Sequence, residues 1–363
     1  MFKFKWQFRN RSVNEGRFFR LWTTSGRLPN NISTKMDDGK QPLFTFGVIA
    51  DIQYADIGDG FNFLHTRKRY YRNSLTLLRR ASQKWRSEAV QPSFILQLGD
   101  IIDGFNKQHD ASEKALQTVI NELQQCNIEI HHIWGNHEFY NFSRDDLMNS
   151  VLNSKTLEDA SNKQIVENST EPSYSYHFSP APNFRFVLLD AYDLSLLGRK
   201  EPSQKYGQSL QIIQEHNKNE NLNHPPGYAG MEARFVQFNG GFSKAQLEWL
   251  DKVLTFSDNN MEKVTVISHL PIHPGATDPI CLAWNYEEVL SILHSHKSVV
   301  CFMAGHDHDG GYFLDESGVH HLTFEGVIET PPDSDAFGTV YVYEDRMILK
   351  GNGRVLKRVL MYP

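Results

Sequence analysis

Five short polar blocks, each placed after an apolar run, constrain this chain more strongly than any other feature of its sequence. The runs are rich in β-branched and aromatic residues, which predicts that they are buried strands. Each block therefore lies where a strand ends, and in open α/β sheets that edge is where ligands bind. The blocks are Asp51-Ile52-Gln53, Gly99-Asp100 with Asp103, Gly135-Asn136-His137-Glu138, His269, and Gly305-His306-Asp307-His308.

The side chains of these blocks predict a pair of divalent metal ions. Carboxylate, amide and imidazole ligands together suit Mn²⁺, Fe²⁺ or Zn²⁺ better than Ca²⁺. Asp100 has two carboxylate oxygens and is best placed to bridge both ions. The neutral amide of Gln53 is a weaker donor than imidazole, which favours Mn²⁺, with Zn²⁺, Fe²⁺ or Mg²⁺ as alternatives. One ion would be held by Asp51, Gln53, Asp100 and His308, and the other by Asp100, Asn136, His269 and His306.

Two cations at one sheet edge indicate hydrolysis of phosphate esters. Ions about 3.5–4 Å apart lower the pKa of a bridging water and hold phosphate oxygens for in-line attack. His137, one residue after Asn136, is a candidate general acid or hydrogen-bond donor to the phosphate. Asp103, three residues after Asp100, is a candidate to orient that imidazole. Four basic residues that follow the first block would reach a phosphate or lie on a solvated helix face: Arg67, Lys68, Arg69 and Arg72.

Charge limits which classes of function are possible. The chain has 363 residues and a net charge of −6, but residues 1–35 hold eight Lys or Arg and one acidic residue. The rest therefore carries about −13, which argues against a globally basic nucleic-acid binder. No apolar stretch reaches the roughly 18 residues that span a bilayer. We expect a flexible basic leader over 1–35 and a single, monomeric domain over 36–363.

Cysteine usage indicates a reducing compartment. Only Cys126, Cys281 and Cys301 occur, and this sparse, odd set argues against a disulfide framework. We therefore expect a cytoplasmic protein. A mitochondrial transit peptide is the alternative, because the basic leader is rich in Arg and poor in acidic residues.

The order of the predicted elements indicates an α/β fold. Strands alternate with helices first, and short strands dominate towards the end of the chain. We predict two packed mixed sheets flanked by helices. The polar stretch 198–242, rich in Asn, Gly and Pro, interrupts this order, and we interpret it as a substrate-specificity insert. Strands are predicted at 43–50, 93–98, 128–134, 174–178, 184–189, 263–268 and 299–304, and helices at 63–90, 111–126, 243–256 and 285–295.

The order of the five blocks resembles the calcineurin-like metallophosphoesterase superfamily. The first block of that superfamily usually reads Asp-x-His, whereas this chain carries Gln53 there. Longer segments are similar to one family within it, the manganese-dependent ADP-ribose/CDP-alcohol diphosphatases. These segments extend over about residues 43–350 and include LQLGDIIDG, WGNHEFYNFSRD, FVQFNGGFS, CLAWNY and EGVIETPP.

The resemblance implies a four-layer α/β/β/α sandwich with a two-Mn²⁺ centre. It implies that a metal-bridged water cleaves the pyrophosphate of ADP-ribose to AMP and ribose 5-phosphate. CDP-alcohols such as CDP-choline would give CMP and phosphocholine. Small nucleotide diphosphates are then the expected partners, with no nucleic acid and no membrane. The family's substrate-contacting positions correspond to Phe63, Leu222, Phe238 and Cys281, of which the two rings would stack on a base.

Two other readings of function stay open from the residues alone. The same metals would also serve a phosphomonoesterase or a cyclic-nucleotide phosphodiesterase. A binding or scaffold protein would keep the fold and lose catalysis, although the candidate ligands and His137 are present. We assign the histidines outside the five blocks mainly to structure or surface, among them His131, His132, His273, His320 and His321.

Overall fold

The chain folds around two mixed six-stranded β-sheets. The computed structural model describes residues 39–62, 65–158, 165–227 and 230–363. The predicted leader, residues 1–35, and the candidate stacking residue Phe63 lie outside the described residues. The strands are β1 (Phe44–Ile49), β2 (Gly60–Phe61), β3 (Lys68–Arg69), β4 (Phe94–Gln97), β5 (Glu129–His132), β6 (Tyr176–Ala181), β7 (Phe184–Leu188), β8 (Lys263–Ile267), β9 (Val299–Ala304), β10 (Gly311–Leu314), β11 (His320–Thr323), β12 (Ala336–Val342), β13 (Arg346–Gly353) and β14 (Arg358–Met361).

Both sheets combine parallel and antiparallel pairs. The first has the order β14-β13-β12-β1-β4-β5, in which β1, β4 and β5 are parallel. The second has the order β10-β11-β9-β8-β7-β6, in which β7, β8, β9 and β11 are parallel. Parallel strands of one sheet end at the same edge. The residues that follow β1, β4 and β5, and those that follow β8 and β9, are therefore collected at the carboxyl edges of the two sheets.

Aromatic side chains fill the space between the sheets. Phe46 from β1 stacks on Phe94 from β4 with ring centroids 5.2 Å apart. Phe186 from β7 meets both rings edge-on at 5.1 Å, and Phe178 from β6 lies 5.2 Å from Phe94. Such pairs contribute about 0.5–1.5 kcal/mol each beyond the burial of apolar area. The cluster holds the two sheets face to face.

Helices cover the outer faces of both sheets. They are α1 (Asn73–Ser87), α2 (Phe105–Gln108), α3 (Ser112–Gln124), α4 (Asn136–Asn141), α5 (Arg144–Met148), α6 (Gln204–His216), α7 (Lys244–Asn259) and α8 (Tyr286–His294). Helix α1 packs on α3 and β12, and α7 packs on α8 and β8. The predicted four-layer α/β/β/α fold is therefore confirmed. The chain from Gln41 to Pro363 forms one compact unit, and none of the described helices has the length and apolarity needed to cross a bilayer.

The first helix is shorter than the sequence pattern predicts. The pattern favours a helix over 63–90, but α1 begins at Asn73, and the short strands β2 and β3 pair with each other before it. Leu77, Ala81 and Trp85 of α1 are buried and recur at a spacing of four. Only this part of the segment has an apolar face to pack, because the residues before it are mainly basic and polar.

The stretch 198–242 contains a helix that the sequence does not predict. Helix α6 begins after Ser203, whose hydroxyl accepts a hydrogen bond from the N–H of Tyr206 and caps the helix. Ile213 of α6 packs with Phe235 and Trp284 in a separate apolar cluster. Few residues of α6 are apolar, so the helix is stabilised mainly by packing against residues that lie far along the chain.

Candidate metal centre

The five blocks meet at the carboxyl ends of the strands. Asp51 lies two residues after the end of β1, Asp100 lies in the turn after β4, and Asn136 opens α4 beyond β5. His269 follows β8, and His306 follows β9. The turns after β1 and β4 are joined, because the N–H of Asp51 donates to Gly99 O at 3.2 Å. The first sheet supplies the candidate oxygen ligands, and the second supplies the candidate imidazole ligands.

One group of candidate ligands surrounds Gln53. Its amide nitrogen lies 3.0 Å from Asp100 Oδ2 and 3.0 Å from His308 Nε2. His308 Nε2 in turn lies 3.4 Å from Asp51 Oδ1. Rotation of the amide by half a turn would place the oxygen of Gln53 where its nitrogen lies. The four side chains predicted to hold one ion therefore lie around a common point.

The second group shares Asp100 with the first. His269 Nε2 lies 3.5 Å from Asp100 Oδ2 and 3.2 Å from His306 Nδ1. One ligand atom from each of these three residues lies within 4.8 Å of the others. Asn136 is linked to the group through Tyr192, whose hydroxyl donates to Asn136 Oδ1 at 3.1 Å and whose ring lies 6.1 Å from that of His269. Asp100 thus adjoins both groups of ligands.

The three imidazoles are held in the tautomers that metal binding requires. His269 Nδ1–H donates to Leu98 O at 2.7 Å, which leaves Nε2 free to face Asp100. His308 Nδ1–H donates to Glu329 Oε1 at 3.0 Å. His306 is turned the other way, since its Nε2–H donates to Asn239 Oδ1 at 2.9 Å and leaves Nδ1 inside. Histidine ligands of metals are commonly fixed through their second nitrogen in this way.

Two further observations show that cations fit this centre. Asp51 Oδ1 and Gln53 Oε1 are buried and have no hydrogen-bond partner among the described residues. Burial alone would lower the pKa of His269 and His308, but Asp100 beside His269, and Asp51 and Glu329 beside His308, raise each to about 9. A site that raises imidazole pKa values has surplus negative charge, which divalent cations would neutralise. The mixed oxygen and nitrogen donors suit Mn²⁺.

The backbone is strained at four of the candidate ligands. Asp51, Gln53, Asp100 and His306 have φ values of 52°, 43°, 57° and 70°. Residues with a β-carbon pay about 1–3 kcal/mol for such a conformation, and it persists where the surroundings enforce it. The four residues lie in three turns, after β1, β4 and β9, and give the backbone there a conformation that a regular strand end does not offer.

Two glycines let the blocks approach each other closely. A β-carbon on Gly135 would lie 2.1 Å from Asp100 Oδ1 and 2.7 Å from His269 Nε2. Gly99 has a φ of 100°, and a β-carbon there would lie 2.3 Å from His269 Nδ1. The Gly in Gly-Asp and in Gly-Asn-His-Glu is therefore a condition for bringing the ligands together.

His137 faces the candidate ligands from the start of α4. Its Nε2 lies 3.9 Å from Asp100 Oδ2, and its backbone N–H donates to Asp100 Oδ1 at 2.8 Å. The N–H of Gly104 donates to His137 Nδ1 at 2.9 Å, so the ring carries its proton on Nε2. Asp103 Oδ2 lies 3.4 Å from Nδ1, but the hydrogen bond that orients the ring comes from Gly104. Asp103 therefore adjoins the ring and adds negative charge beside it.

Other residues support the centre and were not singled out from the sequence. Glu138 accepts the N–H groups of Asp100, Ile101 and Gly135 at 2.6–2.8 Å, and so fixes the turn that carries Asp100. Burial and the neighbouring Asp100 raise the pKa of Glu138 to about 8. Glu138 lies inside one of the five blocks, so the sequence already indicated that it is close to the centre. Glu329 and Asn239 lie outside the five blocks, and the only signal for them was that they fall in two of the segments similar to the family, EGVIETPP and FVQFNGGFS.

Asn239 connects the centre with the insert and the loop at 280–282. Its Oδ1 holds His306, and its Nδ2 donates to the carbonyls of Arg234, Ile280 and Leu282 at 2.7–3.2 Å. The side chain is buried. One amide therefore ties the orientation of a candidate metal ligand to two segments that flank the predicted substrate positions.

We expect Asn239→Ala to weaken Mn²⁺ binding about 10–100-fold, the usual cost of losing the partner that orients a metal-bound histidine. Calorimetric titration with Mn²⁺ measures the effect. Asn217→Ala is the matched control, because Asn217 is a buried amide that also bridges three carbonyls, all within the insert: those of Leu222, His224 and Phe235. Equal Mn²⁺ requirements in both variants would contradict this role.

The predicted substrate positions are brought near the centre to different degrees. The ring of Phe238 lies 5.9 Å from that of His306. Cys281 lies in the loop that Asn239 holds, and burial and the carboxylate of Asp307 raise the pKa of its thiol well above the usual value, which makes a nucleophilic role unfavourable. Leu222 packs against the separate cluster of Phe235 and Ile213. Phe63 lies outside the described residues.

Comparison with known proteins agrees with this geometry. A family model described as calcineurin-like phosphoesterase matches residues 44–310. Proteins named manganese-dependent ADP-ribose/CDP-alcohol diphosphatase are 59% identical in Danio rerio, over 89% of this chain and 99% of that protein, and 57% identical in Homo sapiens, over 90% and 95%. A crystal structure titled as a dimetal phosphatase from Danio rerio is 59% identical, covers 89% of this chain and 100% of its own, and superposes with a TM-score of 0.84. The chain therefore belongs to the calcineurin-like phosphoesterase family and, within it, to the manganese-dependent ADP-ribose/CDP-alcohol diphosphatases.

Proposed function

We propose that this protein hydrolyses the pyrophosphate bond of ADP-ribose, to AMP and ribose 5-phosphate, and of CDP-alcohols such as CDP-choline, to CMP and phosphocholine. The observation that carries the proposal is the convergence of candidate ligand side chains from the ends of β1, β4, β8 and β9 around Asp100, beside His137 from the end of β5. The names of relatives at 57–59% identity over nine-tenths of the chain supply the substrate class.

Two Mn²⁺ ions, when bound, supply Lewis acidity and an activated water for attack on phosphorus. The residues of the chain would hold the ions in position and stabilise the charge that develops on the phosphate. The two ions would be held by oxygens and by three imidazoles. The oxygens are those of Asp51, Gln53, Asp100 and Asn136. His137 presents its Nε2–H to a phosphate oxygen as charge develops there. The leaving phosphate monoester has a second pKa near 6, so a donated hydrogen bond there serves better than full protonation.

A cationic side chain adjoins the site and would favour an anionic substrate. Arg69 lies on strand β3, not on a solvated helix face, and its side chain is 20% exposed. Its guanidinium lies 3.4 Å from Glu329 and 3.9 Å from Asp103. The same carboxylate of Glu329 holds His308. Arg69 thus restrains supports of the centre and adds positive charge near the path of a diphosphate.

The substrate pocket that we propose lies between the insert and the loop 277–281. Asp307 Oδ2 accepts the hydroxyl of Thr277 and the N–H of Asp278, both at 2.8 Å, and so ties this loop to the turn that carries His306 and His308. The ring of Phe238 would stack on a nucleobase, a contact of about 1–3 kcal/mol at similar sites. Phe63 and Cys281 are proposed as further walls of that pocket, and Leu222 as a residue that supports the insert.

Product analysis with Mn²⁺ tests this function. We expect ADP-ribose to give AMP and CDP-choline to give CMP, without release of inorganic phosphate. AMP and cyclic AMP serve as control substrates. Faster release of phosphate from AMP than of AMP from ADP-ribose would favour a phosphomonoesterase, and faster opening of cyclic AMP a cyclic-nucleotide phosphodiesterase. Turnover no greater than that of His137→Ala would support a non-catalytic scaffold.

We further propose that the protein acts as a monomer in the cytoplasm. The three cysteines are free, and Cys126 and Cys301 are buried, which suits a reducing compartment. Sedimentation analysis and cell fractionation of the full chain test these two points. A dimer, or co-purification with mitochondria, would contradict them.

A further inference from the structure

A second group of potential metal ligands lies outside the centre described above. His294 is the last residue of α8, Asp315 follows β10, and His321 lies in β11. Asp315 Oδ2 is 2.9 Å from His294 Nε2 and 2.8 Å from His321 Nε2. The three ligand atoms lie within 4.8 Å of one another. A helix end, a hairpin turn and a strand therefore aim two imidazoles at one carboxylate oxygen.

The carboxylate is oriented in advance for this contact. Its other oxygen, Asp315 Oδ1, accepts the N–H groups of Ser317 and Val319, both at 2.9 Å. This leaves Oδ2 to face the imidazoles. Hydrogen bonds to the second oxygen of a carboxylate are typical of carboxylates that bind metals. The hairpin turn therefore fixes Asp315 before any ligand arrives.

One imidazole of the group is buried, and the other is partly exposed to solvent. His321 is almost fully buried, and the centroid of its ring lies 4.6 Å from that of His273 and 6.1 Å from that of Phe302. The side chain of His294 is 37% exposed. An ion would reach Asp315 from the His294 side, and that side would supply water as a further ligand. Zn²⁺ sites that keep an open position have three protein ligands and one water.

Charge around Asp315 is not balanced by fixed cations. Among the described residues, no Lys or Arg side chain forms an ion pair with Asp315. Asp315 is buried, and its carboxylate accepts hydrogen bonds only from two imidazoles and two backbone N–H groups among the described residues. His321 Nε2–H donates to Asp315 Oδ2, and its Nδ1 is buried with no hydrogen-bond partner among the described residues, so a shift of the proton from Nε2 to Nδ1 would free the Nε2 lone pair for an ion. A cation bound between the carboxylate and the imidazoles would offset the free-energy cost of burying the negative charge of Asp315.

We propose that His294, Asp315 and His321 form a peripheral binding site for a borderline divalent cation of the Zn²⁺ class. Two nitrogens and one oxygen suit Zn²⁺ better than Mn²⁺, and Zn²⁺ stands above Mn²⁺ in affinity for such donors. Tetrahedral ligands about 2.0–2.1 Å from zinc lie roughly 3.3 Å apart, so the ligand atoms must separate slightly. His294, at an exposed helix end, is free to make that adjustment. The ion would join α8 to the β10–β11 hairpin.

Zinc stoichiometry at low, buffered free Zn²⁺ tests the proposal. The wild-type chain should bind one more Zn²⁺ than His294→Ala, whatever number the catalytic centre takes. Asp315→Asn should lose the same ion. His216→Ala is the matched control and should retain it, because His216 also ends a helix, is 38% exposed and pairs with Glu232 at 2.9 Å. Turnover with Mn²⁺ should be the same in His294→Ala as in wild type, which separates this site from the proposed function.

Three results would overturn the proposal. Equal zinc content in wild type and His294→Ala would mean that the group is held only by hydrogen bonds. An extra ion that persists in both His294→Ala and Asp315→Asn would place it elsewhere. Anomalous diffraction at the zinc edge locates the ion directly, and zinc in the catalytic centre serves as the internal control for entry. A peak there without one beside Asp315 would also decide against the site.

Discussion

Replacing His137 by alanine should lower kcat for ADP-ribose by about 10²–10³-fold, the usual cost of losing one hydrogen-bond donor aimed at a developing charge. The affinity for Mn²⁺ should change little, because the imidazole of His137 lies 3.9 Å from Asp100 and is not among the candidate ligands. Steady-state rates at saturating Mn²⁺, together with a Mn²⁺ titration, measure the two quantities separately.

A nearby histidine provides the control for this variant. His109 is exposed at the end of α2, and its replacement by alanine should leave kcat and Mn²⁺ affinity unchanged. His137→Gln retains an N–H donor on a side chain of similar reach, and should recover part of the lost rate. If His137→Ala kept full kcat, or lost activity only through weaker Mn²⁺ binding, the role of Nε2–H as a donor to phosphate would be wrong.

Asp100→Asn should have the largest effect on metal binding, because Asp100 adjoins both groups of candidate ligands. The amide has no negative charge and presents only one oxygen. We expect Mn²⁺ affinity to fall by more than the roughly 100-fold that follows loss of a ligand's supporting partner, for both ions together. Activity should fall with it at any practical Mn²⁺ concentration. Calorimetric titration with Mn²⁺ gives both the affinity and the number of ions.

The control for Asp100→Asn is a carboxylate at the rim. Asp309 is half-exposed and pairs with Arg67 at 2.7 Å, so Asp309→Asn removes one negative charge close to the centre without removing a candidate ligand. Its Mn²⁺ titration should match that of wild type within a few-fold. If Asp100→Asn bound two Mn²⁺ ions as tightly as this control, Asp100 would not bridge the centre.

The sequence predicts the fold and the place of the site because both follow from strand ends. Apolar runs define the central strands, and parallel strands must deliver their following residues to one edge. The same reasoning does not predict the positive φ values at Asp51 and Asp100, since these depend on what the neighbouring turns enforce. It also does not predict α6, which depends on packing against Phe235 and Trp284.

The supports of the site were harder to predict than its candidate ligands. Asn239 and Glu329 act through a hydrogen bond to the far nitrogen of a histidine, and no spacing rule links them to the blocks. The orientation of His137 depends on a backbone N–H, which has no signature in the side-chain pattern. Residues that bind an ion are limited to a few types, whereas residues that orient them are not.

Anomalous diffraction from crystals of the Mn²⁺-loaded wild-type protein tests the central claim most directly. The account predicts two manganese peaks about 3.5–4 Å apart, with Asp100 bonded to both and with His269 and His308 bonded to different ions. A single ion, or two ions that share no carboxylate, would contradict it.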